Sequence, residues 1–174
     1  MKRSLRLLVL LLLILPVAAA AQDGEDPVMQ STRQLYEAGK RFVMGTAEQS
    51  PEEDYAYRPA ESVRTLGQLL GHVADVHFLT CSIALGEQNP NTASVEQSNP
   101  GKTEMIASLR RSYEYCDRAY ALSSMELGAA AELFGQPTSR FHALSLNVSH
   151  DFEHYGNMVT YVRLRGRVPP SSQQ

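Results

Sequence analysis

The chain has 174 residues, with 16 Lys and Arg against 19 Asp and Glu, two cysteines and no tryptophan. That length suits one domain, able to bury a core without relying on disulfides. A mildly acidic balance with no basic patch argues against nucleic acid and against an anionic membrane surface, and leaves small molecules or proteins as partners.

Lys2, Arg3 and Arg6 open the sequence, Leu7 to Val17 form an almost unbroken apolar run, and Ala18 to Ala21 supply small residues before Gln22. This is the layout of a secretory signal peptide cleaved after Ala21. The apolar run is shorter than the roughly 20 residues a membrane span needs, so no stable membrane anchor is expected after cleavage. Residues 1–21 are therefore set apart as signal, and residues 22–174 are expected to form a single exported domain, periplasmic or extracellular. Removing the three basic residues leaves 13 basic against 19 acidic, a net charge of −6.

Asp26-Pro27 pairs a capping residue with proline at the first helical position, which predicts a first helix running to about Gln49, ahead of Pro51. Leu35, Phe42 and Val43 contribute its apolar stripe. Residues 50–62 are polar and contain Tyr57-Arg58-Pro59, whose proline turns Arg58 away from helix and predicts an ordered loop. Thr65-Leu66-Gly67-Gln68 fits a capping box, so a second helix is expected from there to about Leu85, with Gly86 ending it. On that helix His72 aligns with Leu69, Val76, Leu79 and Ile83. An imidazole in an apolar stripe needs a polar partner, and either a metal or a hydrogen bond within the core satisfies that need.

Residues 87–101 carry two Asn-Pro breaks and read as a long polar loop. Fully extended it reaches roughly 50 Å, enough to travel back along a 20-residue helix of about 30 Å, leaving the second and third helices parallel. The third helix, about Thr103 to Leu122, presents Met105, Ile106, Leu109, Tyr113, Cys116 and Tyr120. Parallel helices would put Cys81 and Cys116 at similar heights. Two buried free thiols are slightly preferred over a disulfide between them, and both readings stay open. After a loop over 123–137, in which Ala129 to Ala131 are expected to add a helical turn, the fourth helix starts near Thr138 or Ser139 and reaches about Arg165. No alternating run signals a strand. The expectation is an all-α four-helix bundle with a long crossover between helices two and three.

The fourth helix has two faces. Leu144, Val148, Phe152, Tyr155, Val159 and Val162 form the main apolar one. Well round from it lie Ala143, Asn147, His150, His154, Asn157 and Tyr161, a stripe without Lys or Glu that is flanked by Leu146, Met158 and Leu164, as at the edge of a cleft. His150 and His154 are four residues apart and point the same way. Neutral imidazoles ligate zinc, nickel or iron, and a third from a facing helix would leave a coordination position open, as in catalytic sites. Asp75, Asp151 and Glu153, with Asn147 and Asn157 in the same stripe, could orient such imidazoles by hydrogen bonds, although salt bridges explain the carboxylates equally well. His77 lies about 140° round its helix from His72 and is assigned to core or surface, as is His142. No nucleophile triad, phosphate loop or nucleotide fingerprint is present.

Two stretches resemble the DinB/YfiT-like family: Tyr57-Arg58-Pro59 through Arg64-Thr65-Leu66-Gly67-Gln68-Leu69-Leu70-Gly71-His72-Val73, and His150-Asp151-Phe152-Glu153-His154-Tyr155-Gly156-Asn157 continuing to Gly166-Arg167-Val168-Pro169-Pro170. The resemblance covers essentially the whole chain after the signal peptide. It implies a four-helix bundle with a long crossover and a divalent metal, zinc first and nickel or iron after it, held by His72, His150 and His154. Some relatives of that fold are thiol-dependent transferases or isomerases, but an exported chain is badly placed for a cytosolic thiol. Two readings follow. One is a metal-dependent hydrolase or transferase of unknown substrate. The other is a non-catalytic exported bundle that binds metal, a small ligand or a protein partner, a second copy of the chain in a homodimer among the candidates.

Overall fold

A computed structural model describes residues 26–173, so the expected signal peptide lies outside the described residues. Its elements are α1 (Pro27–Gln49), α2 (Leu66–Leu85), α3 (Val95–Ser98), α4 (Lys102–Tyr120), α5 (Ser124–Leu127), β1 (Ala130–Leu133), β2 (Gln136–Ser139) and α6 (Arg140–Leu164), with short 3-10 turns at Glu52–Ala56 and Pro170–Ser172. The helix starts follow local chemistry. Asp26 Oδ1 accepts the Val28 amide at 2.9 Å, and Pro27 supplies a helical φ without needing a donor. At α2 the capping box closes in both directions: Thr65 Oγ1 accepts from Gln68 N, and Gln68 Oε1 accepts from Thr65 N.

Side-chain pairings fix the directions of the four long helices. His77 meets Ser112 and Cys81 meets Cys116, so α2 and α4 advance together and are parallel. Thr80 meets Asn147 while His72 meets His150, which makes α2 and α6 antiparallel. Tyr36 reaches Asp117 and Glu48 reaches Arg110, so α1 and α4 are antiparallel. Gly39 abuts Asp151 and Phe42 stacks on Tyr155, so α1 and α6 run the same way. This is the all-α bundle with a long crossover. Val43, Leu70, Val73, Met105, Leu109, Leu144 and Met158 are fully buried in its core. Among the described residues only α2 is long and apolar enough to cross a membrane, and its position between α4 and α6 accounts for that apolarity.

The core holds two features beyond apolar packing. Cys81 and Cys116 are joined in a fully buried disulfide with Cα atoms 5.2 Å apart, so the slight preference for free thiols gives way to the bonded reading. Parallel helices bring the two to one height, within the Cα separation a disulfide requires. Beside them lies a buried polar network. His77 Nε2 is 2.6 Å from Asp151 Oδ1, Tyr113 donates to Asp151 Oδ2 at 3.2 Å, and His77 Nδ1 faces the Ser112 hydroxyl at 3.1 Å. Asn147 donates to Thr80 Oγ1 and accepts from the Tyr120 hydroxyl.

Residues 123–139 differ from expectation. The helical turn is α5, opened by a Ser123–Glu126 capping box, and Ala130 and Ala131 belong instead to an antiparallel hairpin in which Ala130 pairs with Ser139 and Leu133 with Gln136. The two-residue loop Phe134-Gly135 has positive φ at both positions, 51° and 74°. That is the geometry that matches strand twist in a hairpin, and glycine meets it without strain.

At the other end the tail folds back. Asp54, buried in the 3-10 turn after α1, takes Arg165 Nε at 2.7 Å and also Arg167, while the Tyr161 hydroxyl donates to the Arg64 carbonyl at 2.7 Å. The stretch before α2 is thereby pinned to the last turns of α6, forming the wall of a cleft.

Candidate metal centre

His72 stands near the middle of α2, and His150 and His154 on successive turns of α6. Antiparallel packing sets the single imidazole opposite the pair. His150 Nε2 lies 3.1 Å from His72 Nε2 and 2.9 Å from His154 Nε2, and the potential ligand atoms of all three fall within 4.8 Å of one another. The rings are tilted or edge-on, so nitrogens converge rather than faces. His154 is buried, and His72 and His150 are partly so.

The protonation pattern favours a shared cation. Glu96 Oε2 sits 2.9 Å from His72 Nδ1, and a carboxylate can only accept, so Nδ1 carries the proton and Nε2 turns its lone pair inward. A protonated His150 Nε2 could serve one neighbour, but the other would still face it unsatisfied. Among the described residues the Nδ1 atoms of His150 and His154 are buried without a hydrogen-bond partner. Burial, followed by the nearby charges of His154 and His72, pushes His150 down to about 3. Burial and then His72 also lower His154. Both rings are therefore neutral at pH 7, the state in which imidazole binds metal. These three histidines can hold a metal ion.

Glu96 does not stand out in the sequence. It lies 24 residues beyond His72 in the long crossover, and only the path of the folded chain brings it back. Asp75 builds that path. Its Oδ1 accepts from Val95 N at 2.8 Å and Asn91 Nδ2 at 2.7 Å, and its Oδ2 accepts from Ser94 Oγ at 2.6 Å and Glu96 N at 3.1 Å. Asp75 therefore anchors α3 rather than bonding an imidazole. Gly71 lets α3 lie against α2, since a Cβ there would come within 2.8 Å of the Glu96 backbone.

The other carboxylates and amides are placed as follows. Asp151 is turned into the core, where it holds His77 and Tyr113, because the residue after His150 points about 100° away round the helix. Asn147 is likewise committed to Thr80 and Tyr120. Glu153 is exposed, and its carbonyl takes the Asn157 amide at 3.2 Å. Asn157 lines the cleft beside His154. His77 is wholly buried and His142 exposed. The cleft, about 580 Å³, is lined by His154 and Glu96 together with the apolar Pro59, Val63 and Leu69 and the polar Arg64, Asn157 and Tyr161.

In a bundle of four long helices, two antiparallel helices bring three imidazoles together beside an open cleft. The chain belongs to the DinB family, whose model matches residues 29–173. The fold is shared with a DinB-like protein from Bacillus cereus, 16% identical with a TM-score of 0.69, over 79% of this chain and 92% of that one. A DinB family member from Exiguobacterium sibiricum is 21% identical with a TM-score of 0.62, over 82% of this chain and 95% of its own. A mutant of a mycothiol-dependent maleylpyruvate isomerase is 12% identical with a TM-score of 0.63, over 75% of this chain and 60% of that one. No curated protein sequence matches the chain.

Proposed function

We propose that this is an exported metal-dependent hydrolase or transferase, with a divalent cation, zinc first, held by the Nε2 atoms of His72, His150 and His154. The observation that carries the reading is the convergence of three imidazole donors beside a cleft large enough for a small molecule. A three-histidine donor set leaves a position for substrate or water, as in catalytic rather than structural zinc sites. When bound, the cation would polarise a substrate oxygen and lower the pKa of a water toward neutrality. The chain's own contributions are separate. Glu96 holds the proton on His72 Nδ1 and sets that ring's orientation, Asp75 fixes Glu96, and Pro59, Val63 and Leu69 add apolar surface to the cleft lining.

Export is supported by the charged, apolar and small-residue pattern over residues 1–21 and by a core disulfide, which suits an oxidising compartment. The thiol dependence in the isomerase's name is not carried over, because likeness at 12% identity supports fold alone. The competing reading is a bundle that binds metal without catalysis. A panel of ester, amide and thioester substrates should be tested with chelated protein and with protein reloaded with zinc, nickel or ferrous iron. Turnover that vanishes on chelation and returns with one metal supports the enzyme. Stoichiometric metal with no turnover across the panel favours the binder.

A further inference from the structure

We infer that the cleft beside the histidines takes a small organic anion, and that Arg64 recognises its carboxylate or phosphate oxygens. The inference rests on the reading of that cleft as the ligand site of the metal centre.

Arg64 is held in place from three directions. Its carbonyl accepts the Tyr161 hydroxyl at 2.7 Å, the next residue is the Thr65 cap of α2, and its Nε donates to Glu96 Oε1 at 2.7 Å. Among the described residues that Nε contact is its one side-chain hydrogen bond, and the side chain is 42% exposed. Arg64 lines the cleft, and its two Nη nitrogens, the edge that grips planar oxyanions in a two-pronged fashion, make no hydrogen bond among the described residues. A guanidinium fixed before the ligand arrives loses little freedom on binding.

The surrounding charge agrees. Among the described residues Glu96 is the one carboxylate in the cleft lining, and both its oxygens are occupied, one by Arg64 and one by His72. Arg58, on the Tyr57-Arg58-Pro59 bend, adds a second positive charge, and both arginines act on the Tyr161 hydroxyl to oppose the rise that burial causes. Pro59, Val63 and Leu69 offer apolar surface for the carbon body of a ligand whose oxyanion lies on Arg64. The same salt bridge joins Arg64 through Glu96 to His72, so an anion on the guanidinium sits one carboxylate away from the metal-binding ring.

The test is calorimetric titration of metal-free and zinc-loaded protein with benzoate, phenyl phosphate and the neutral counterpart benzyl alcohol, in wild type, Arg64→Gln and Arg64→Lys. In wild type the anions should bind at least about tenfold tighter than the alcohol, a difference of about 1.4 kcal/mol. In the metal-free protein Arg64→Gln should abolish that preference and Arg64→Lys should keep part of it, with helical content unchanged. Tighter benzoate would identify a carboxylate ligand, and tighter phenyl phosphate a phosphate. Equal binding of anions and alcohol by wild type, or an undiminished preference in Arg64→Gln, would overturn the inference. The metal-free arm separates the two readings: wild type that fails to load zinc defeats the metal centre, while the anion preference still reports on Arg64.

Discussion

His72 has a carboxylate behind it, whereas His150 and His154 have buried Nδ1 atoms with no partner among the described residues. That asymmetry has a consequence for stability in acid. His150 is pushed down to about 3 by burial and then by its neighbouring imidazoles, whereas an unfolded histidine titrates near 6.5. Below about 6.5 the unfolded chain takes up this proton more readily than the folded one, so acid favours unfolding, and the loss continues until the pH reaches about 3. His154, also lowered, acts in the same direction. Thermal unfolding of metal-free protein between pH 7 and pH 4 should therefore show a steeper fall in Tm for wild type than for His150→Gln. Equal slopes would mean that the ring is hydrated or partnered in solution.

Among the elements, α3 matters most to the site despite spanning a single turn. Its N-terminus is held by Asp75, its Glu96 backs His72, and its backbone rests on Gly71. Alanine at position 71 would normally favour the helix by about 1 kcal/mol. Here its Cβ would meet the backbone of Glu96 at 2.8 Å and that of Val95 at 3.0 Å, so α3 must move. Gly71→Ala should keep its helical content and lose roughly 10- to 100-fold in zinc affinity, as expected when the hydrogen bond behind a ligating histidine is removed. Competition with a chromogenic chelator measures this, and unchanged affinity would show that α3 does not support the site. The long helices were legible because their ends are written locally, in Asp26-Pro27, in Thr65 with Gln68, and in Gly86. The i,i+4 pair on α6 was legible for the same reason. Glu96 was not, because its contact with His72 depends on where a long crossover lands. The hairpin was hidden too: Ala130 and Ala131 have weak strand preference, Pro137 reads as a strand breaker, and a Phe-Gly turn carries less signal than Asn-Gly.

For the molecule as a whole, the crossover and the disulfide belong together. A connection long enough to return makes α2 and α4 parallel, and parallel helices set Cys81 beside Cys116 across a separation of 35 residues. Residue types alone could not choose between buried thiols and a bond, since both place cysteine in the core. Closing a loop of that length stabilises the fold by about 3 to 4 kcal/mol through the unfolded chain. Denaturant unfolding of oxidised and fully reduced protein should differ by that amount, with both forms helical. Coincident curves would show that the bond adds nothing to the packing of α2 on α4. The disulfide ties α2, which carries His72, to α4, while the Asp54 contacts with Arg165 and Arg167 tie the end of α6 to the start of the bundle. Rigid support on both sides is what three donors from two helices require.

The metal centre is tested by elemental analysis of the untagged protein beside a His150→Ala/His154→Ala double variant, with circular dichroism on both. The expected result is about one divalent metal per chain in wild type, lost in the variant while its helical signal persists, as for a site with three protein ligands. Wild type without metal after reloading, or a variant that keeps its metal, would contradict a three-histidine centre and leave the imidazoles a structural role.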